Sequence, residues 1–277
     1  MSRTELKQQD FNSLGIAPRL LKRIQELGFN HPTPIQYKAI PIATSGEDVV
    51  GIAQTGSGKT LAFSVPMLQH IADTKKTGLV LLPTRELAVQ VEETFNKIAK
   101  GSGLRTALII GGANPMPQIK KLKKNPHVII ATPGRLIDHI NQKNVVLKNV
   151  GMLILDEADR MLDMGFAPQL NQILPSIPVN RQTMLFSATM PDEIATITKK
   201  YMKKPLRIEV AKHGTTAKSI DQEIIIVPKE KRMPLLKQLL KEYGGSVLIF
   251  SRTKHGAKNI SRIIKQEGHT ADELHSN

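Results

Sequence analysis

Six short apolar runs rich in Val, Ile and Leu recur along the chain, separated by stretches of helical periodicity. The runs are Asp48–Ala53, Gly78–Leu82, Thr106–Ile110, His127–Ala131, Met152–Asp156 and Gln182–Ser187. They show little polar–apolar alternation, as expected of strands buried on both faces of a parallel sheet. Helical patterns fill the gaps at Lys59–Ala72, Glu86–Lys100, Gly134–Asn141 and Asp192–Met202. Gly and Pro punctuate the strand ends at Gly56, Pro83, Gly111, Gly112, Pro133, Gly134 and Pro191. The pattern predicts an α/β fold, a parallel sheet flanked by helices, with ligands at the carboxyl ends of the strands.

The periodicity fails at Ala211–Ser219, a polar stretch that reads as a linker. A first domain over 1–210 and a second over 220–277 follow. In the second, strands are expected at Gln222–Val227, Ser246–Ser251 and His269–Leu274, with helices at Glu230–Tyr243 and Lys254–Glu267. Fewer than about 60 residues make a marginal core, so this domain reads as incomplete.

Composition narrows the partners. Lys and Arg number 39 against 24 Asp and Glu, a net charge of +15, which predicts an anionic partner. Aromatics are only 4% of the chain and Trp is absent, so a nucleic acid would be gripped by phosphate and sugar rather than by base stacking. The absence of cysteine removes disulfides, Cys-based zinc sites and thiol nucleophiles. No apolar run approaches the roughly 20 residues that span a bilayer, and the N-terminal MSRTELKQQDF has no apolar signal core. A soluble cytoplasmic protein that does not engage membranes is expected.

Two segments carry chemistry. Ala53-Gln54-Thr55-Gly56-Ser57-Gly58-Lys59-Thr60 follows a buried strand and opens a helix, the arrangement of a phosphate-binding loop with Ala53 in place of the first Gly. Thr55, Gly56, Ser57 and Gly58 would turn backbone N–H groups toward phosphate oxygens, Lys59 would reach the outer phosphates, and Thr60 would offer its hydroxyl to Mg²⁺. Asp156-Glu157-Ala158-Asp159 ends another apolar strand. Asp156 is placed to hold the metal, partly through water, and Glu157 to act as base.

With these motifs in place the chain resembles the DEAD-box ATP-dependent RNA helicases of superfamily two, over nearly all of its length. The resemblance implies a RecA-like fold of the P-loop NTPase kind in 1–210, and part of a second RecA-like lobe in 220–277. Phe29 with Pro32-Thr33-Pro34-Ile35-Gln36 resembles the family's Q motif, placed at about 9–37. There the resemblance implies Gln36 on the adenine edge and Phe29 on its face; Phe11 either supports that site or packs in the core. Pro83-Thr84-Arg85, Gly111-Gly112 and Thr132-Pro133-Gly134-Arg135 resemble the loops that hold RNA. Arg85, Gly112, Thr132, Gly134 and Arg135 are the implied contacts, with forked guanidinium donors suited to phosphate. Ser187-Ala188-Thr189 resembles the motif that couples the carboxylate loop to RNA through Asp159; as a plain alternative, Thr189 caps the following helix. Val247–Arg252 resembles motif IV. Segments such as RMLDMGFAPQL and ELHSN resemble the bacterial RhlE-like subgroup. Family motifs V and VI are absent from these 277 residues, which predicts a truncated second lobe whose nucleotide and RNA binding outlast turnover.

The resemblance implies an RNA-stimulated ATPase using ATP and Mg²⁺, acting on RNA with little sequence preference, a monomer with a place in ribosomal or RNA-decay assemblies. A non-catalytic ATP- and RNA-binding fragment is the second reading. A small-molecule kinase would fit the phosphate loop but not the charge. Lys120, Lys121, Lys123 and Lys124, expected on one helix, and Lys199, Lys200, Lys203 and Lys204 form either a diffuse RNA surface or solvated faces.

Overall fold

The computed structural model describes residues 10–210, 221 and 223–275. The chain divides between Thr215 and Thr216 into two compact units. The expected linker, 211–219, lies outside the described residues.

The first unit holds seven strands: β1 Val49–Ile52, β2 Thr77–Leu81, β3 Thr106–Ile109, β4 Val128–Ala131, β5 Val150–Leu155, β6 Gln182–Ser187 and β7 Leu206–Glu209. They form one sheet in the order β3-β4-β2-β5-β6-β1-β7, and every adjacent pair runs parallel. Helices α1 Pro18–Glu26 and α2 Pro34–Thr44 precede β1. The crossovers are α3 Lys59–Thr74, α4 Arg85–Ile98, α5 Pro115–Leu122 and α6 Pro133–Asn141; α7 Ala158–Asp163 and α8 Ala167–Ile173 join β5 to β6, and α9 Asp192–Tyr201 joins β6 to β7.

The missing alternation in the strands has a direct physical cause. Successive side chains point to opposite faces, and both faces are covered. Val50, Ile52, Leu79, Leu81, Leu153 and Leu155 enter one core, while Val49, Val80, Ile130, Ile154, Met184 and Phe186 enter the other with Phe63 and Phe95. A third cluster gathers Phe11, Leu14, Ile24, Ile40, Leu61 and Val65 around the N-terminal helices. Phe11 is 2% exposed there, so it packs in the core.

The six expected strands all form, with ends shifted by no more than two residues. β7 was outside the expectation. Its four residues, L-R-I-E, bury only Ile208, which leaves a short alternating signal typical of an edge strand. The lysine cluster is also corrected: α5 ends at Leu122, so Lys123 caps it and Lys124 lies beyond.

The second unit contains α10 Arg232–Glu242 and α11 Lys254–Gln266, close to the two helices expected. The three strands expected at Gln222–Val227, Ser246–Ser251 and His269–Leu274 do not form among the described residues. A strand exists only through ladder hydrogen bonds to a neighbour, and none pairs here. The apolar side chains that suggested strands stand in the open: Ile226 is 96% and Phe250 90% exposed. A motif IV strand at Val247–Arg252 is therefore absent as well.

Candidate functional site

Because all seven strands are parallel, their carboxyl ends lie along one edge, and the motif residues singled out from Thr55 to Thr189 lie at or just past a strand end there. Sheet order then sorts the loops. Along that edge stand, in turn, Gly111-Gly112 after β3, Thr132–Arg135 after β4, Thr84-Arg85 after β2, Asp156–Asp159 after β5, Ser187–Thr189 after β6, and the glycine loop after β1. The Gly111-Gly112 loop and the two arginine loops fall together on one side, and the carboxylate loop and the phosphate loop after β1 on the other.

The glycine loop runs from β1 into α3. Gly58 has φ 90°, and a Cβ there would collide with the amide of Gln36, so both conformation and space require glycine. The N–H groups of Lys59, Thr60 and Leu61 open the helix without partners four residues back, since the first such bond is Ala62 N to Gly58 O at 3.3 Å. Lys59 is buried, and its Nζ has no hydrogen-bond partner; its nearest charge is Asp156 Oδ1 at 3.8 Å. Ser57 Oγ and Thr33 Oγ1 are likewise buried without partners. Buried polar atoms left unsatisfied beside free helix N–H groups mark a place built for an anion. The donor set thus fits phosphate. Thr60 stands half-buried in the first turn of α3, and Thr55 is exposed at the mouth of the loop.

Gln36 reaches this loop from α2. Its Oε1 accepts from Thr33 N at 2.9 Å, and its Nε2 donates to Gly58 O at 3.0 Å. An amide can do both at once, and the pair fastens the N-terminal segment to the last turn of the phosphate loop. Phe29, by contrast, is 39% exposed.

Across from the loop, Asp156 leaves β5 with its N–H on Leu81 O at 3.1 Å. Burial pushes its carboxyl up to about 6, although Lys59 and the N–H of Glu157 pull the other way. Glu157 sits at φ 51°, ψ 50°, a left-handed conformation that costs a non-glycine residue about 1–3 kcal/mol and is characteristic of functional sites. The strain aims its buried carboxylate between Thr55 Oγ1 at 3.4 Å and the guanidinium of Arg160 at 3.1 Å. Arg160 was not among the expected site residues; its i, i+3 spacing from Glu157 is the signal that could have found it.

Asp159 joins the carboxylate loop after β5 to the loop after β6. Its Oδ2 accepts from Ala188 N at 3.1 Å, Thr189 N at 2.9 Å and Thr189 Oγ1 at 2.9 Å, while its own N–H donates to Ser187 Oγ at 3.2 Å. Burial opposes its charge, but the bonds from Thr189 and Ser187 outweigh it and hold the carboxyl below the usual range. Thr189 is therefore a partner of Asp159; the residue flanking α9 is Pro191.

On the other side, Thr84 caps α4 through Leu87 N at 3.3 Å, which places Arg85 at the first helical position. The Arg85 guanidinium lies over Gly112, where a Cβ would overlap it and where φ is 72°. Arg135 donates to Ala113 O at 3.1 Å and pairs with Asp138 at 3.5 Å, tying the β4 loop to the β3 loop. Thr132 precedes α6 and is nearly buried, while the space above Gly134 is open. Contacts thus join Arg85 to Gly112 and Arg135 to the β3 loop, while Thr132 and Gly134 stand beside them at the end of β4.

Comparison with known proteins agrees with this geometry. The DEAD/DEAH box helicase family model matches residues 33–197. The chain is 44% identical over 275 residues to the ATP-dependent rRNA helicase RRP3 of Debaryomyces hansenii, covering 98% of this chain and 58% of that protein. It is 42% identical over 268 residues to the DEAD-box ATP-dependent RNA helicase CshA of Bacillus cereus, covering 96% and 51%. The chain spans about half the length of these curated relatives. The fold superposes on a DEAD box protein from the hyperthermophile Methanococcus jannaschii with a TM-score of 0.70 at 38% identity, covering 96% of this chain and 73% of that one. A RecA-like sheet carrying a phosphate loop, a carboxylate loop and their coupling contacts, with relatives of this identity, places the chain in the DEAD/DEAH box helicase family.

Proposed function

We propose that the protein is an RNA-stimulated ATPase that remodels or unwinds RNA, holding the nucleotide and the RNA backbone side by side on one sheet edge. The observation that carries this reading is the sorting of the loops: Lys59, Asp156 and Glu157 gather at β1 and β5, Arg85, Gly112 and Arg135 at β2, β3 and β4, with Asp159 bonded to Thr189 beside β6.

In this reading the loop from Thr55 to Thr60 cradles the phosphates of ATP, and Lys59 supplies the charge that the outer phosphates lack. Gln36 and Phe29 would read the adenine. Thr60 and Asp156 would hold Mg²⁺, which when bound offsets phosphate charge. Among the described residues no cluster of three or more His, Cys, Asp or Glu could hold a metal by itself. Two protein donors suit an ion that keeps water and substrate phosphates as its other ligands. Glu157 takes a proton from the attacking water as the bond between the terminal phosphorus and its bridging oxygen breaks. Arg85 and Arg135 bind phosphates, and Thr132, Gly112 and Gly134 allow the backbone of the strand to approach.

The substrate class is RNA gripped without sequence preference; the similarity to the rRNA helicase RRP3 supports a role around ribosomal RNA, and a place in RNA-decay assemblies is part of the same proposal. Cytoplasmic location, a monomeric state and the finer RhlE-like placement are part of the same proposal; among the described residues no helix is long and apolar enough to cross a membrane. ATP hydrolysis with Mg²⁺, measured with and without single-stranded RNA, tests the reading. RNA should stimulate turnover, and Glu157→Gln should reduce it by about 10²–10⁴-fold. ATP and RNA binding without turnover would favour the second reading, a nucleotide- and RNA-holding module. Transfer to a small metabolite without RNA would favour a kinase.

A further inference from the structure

We propose that the opposite, amino edge of the sheet carries a second site for RNA, which takes the backbone phosphates of a structured or duplex segment. The inference rests on the RNA reading above and adds a surface that this reading does not use.

A recess of about 490 Å³ lies where β2, β3, β4 and β5 begin. Lys75, Lys76, Arg105, Lys123 and Lys143 line it, and no Asp or Glu does. Among the described residues none of these five forms an ion pair. The Arg105 guanidinium is held by the carbonyls of Lys124 at 3.2 Å and Asn125 at 3.0 Å, so part of the charge is fixed before any ligand arrives.

A plain explanation exists for cations at this edge. The crossover helices end here, and helix carboxyl termini favour positive charge. Lys75 and Lys123 cap α3 and α5, and Lys143 follows α6. Three helix ends contribute roughly −0.5 charge each, about −1.5 together, against five full positive charges. A clear excess remains. The neighbouring histidines register it: His127 is lowered first by burial and then by Arg105 and Lys75, and His70 first by burial and then by Lys76.

No Phe, Tyr or Trp lines the recess, and its five cations suit phosphate as the recognised group. A larger recess of about 780 Å³ adjoins it through the shared Lys75 and His127 and continues the basic rim with Arg19, Lys22 and Lys100. Its one acid, Glu26, is neutralised by Arg23 at 2.9 Å. The strands between the two edges are four to six residues long, about 13–20 Å, short enough for one folded RNA to touch both.

The test uses the full chain and the triple variant Lys76→Gln, Lys123→Gln, Lys143→Gln. Binding is followed by fluorescence anisotropy across a salt series, with a single strand of about ten nucleotides and with a hairpin carrying the same strand as a tail. The variant should bind the short strand within twofold of the parent. For the tailed hairpin it should bind at least tenfold more weakly, and the slope of log affinity against log salt should fall by about 2–3. An unchanged hairpin slope, or equal loss on both probes, overturns the proposal. Loss of poly-glutamate binding alone, with the hairpin unaffected, would assign the recess to an acidic protein and overturn it too. If the parent binds neither probe, the RNA reading itself fails, which is a different result from a hairpin-specific null effect.

Discussion

Glu157 and Asp156 are neighbours with opposite costs. Glu157 is held in a left-handed conformation and Asp156 in a buried place that resists its charge. Local partners, Lys59 for Asp156 and Arg160 for Glu157, offset only part of the burial of Asp156 and leave the strain of Glu157 in place, which fits a site shaped for something that arrives later. For Asp156 the sign of the pH effect follows from linkage. Its folded value, about 6, lies above the unfolded value near 3.8, so the folded state holds the extra proton in that window. Stability of the ligand-free protein, measured in chelator, should therefore fall as pH rises from about 4 to about 6. In Asp156→Asn that part of the slope should disappear; parallel urea-midpoint profiles for the two proteins would count against it.

Two phenylalanines separate at the same scale. Phe11→Ala empties a buried site and should cost about 3–5 kcal/mol of stability while leaving ATP affinity intact below the melting temperature. Phe29→Ala, at a partly exposed position, should do the reverse. Thermal melts paired with ATP titrations check both. The sequence left Phe11 open between site and core, because an isolated aromatic carries no mark of which wall it faces.

Elements decide where chemistry gathers. The loops of this site come from six separate stretches, and only the parallel sheet brings their strand ends to one line. The Arg85→Ala and Arg135→Ala substitutions should each weaken single-strand binding evenly across sequences and lower the salt slope by about 1, with ATP affinity unchanged. Gly112→Ala should hurt RNA binding by a different route, since its Cβ would displace the Arg85 guanidinium from a loop that also needs positive φ. A normal affinity for Gly112→Ala in salt-dependent anisotropy would mean that Arg85 does not act from its place over that glycine.

What was legible in the sequence follows from the same physics. Strands covered on both faces write an unbroken apolar run, and β6 was read to the residue. β7 buries one side chain and wrote almost nothing. The second unit shows the reverse error: Ile224–Val227 and Val247–Phe250 are apolar enough for strands, but pairing partners are a property of the fold and not of the run. At the site, the phosphate and carboxylate loops were legible from glycine spacing and strand context. The Gln36–Gly58 bond was not singled out because it depends on where two segments meet, whereas the Arg160–Glu157 pair is local and its i, i+3 spacing went unused.

At the scale of the whole molecule, the net charge of +15 and the scarcity of aromatics suit the proposed grip on a polyanion by its backbone. In the proposed function this task falls to two neighbouring halves of one edge of the first unit, β3-β4-β2 and β5-β6-β1, and the Asp159–Thr189 bond links β5 to β6 within the second half. The two ligands should therefore be lost independently. The most direct measurement is a paired titration of ATP with Mg²⁺ and of single-stranded RNA, on the parent, on Lys59→Ala and on the Arg85→Ala, Arg135→Ala double variant. Lys59→Ala should lose about 10–100-fold in ATP affinity, the worth of one charge-assisted bond, and keep its RNA affinity. The double variant should lose RNA and keep ATP. If either variant loses both ligands together while remaining folded, or if the double variant loses ATP alone, the division of the edge is wrong.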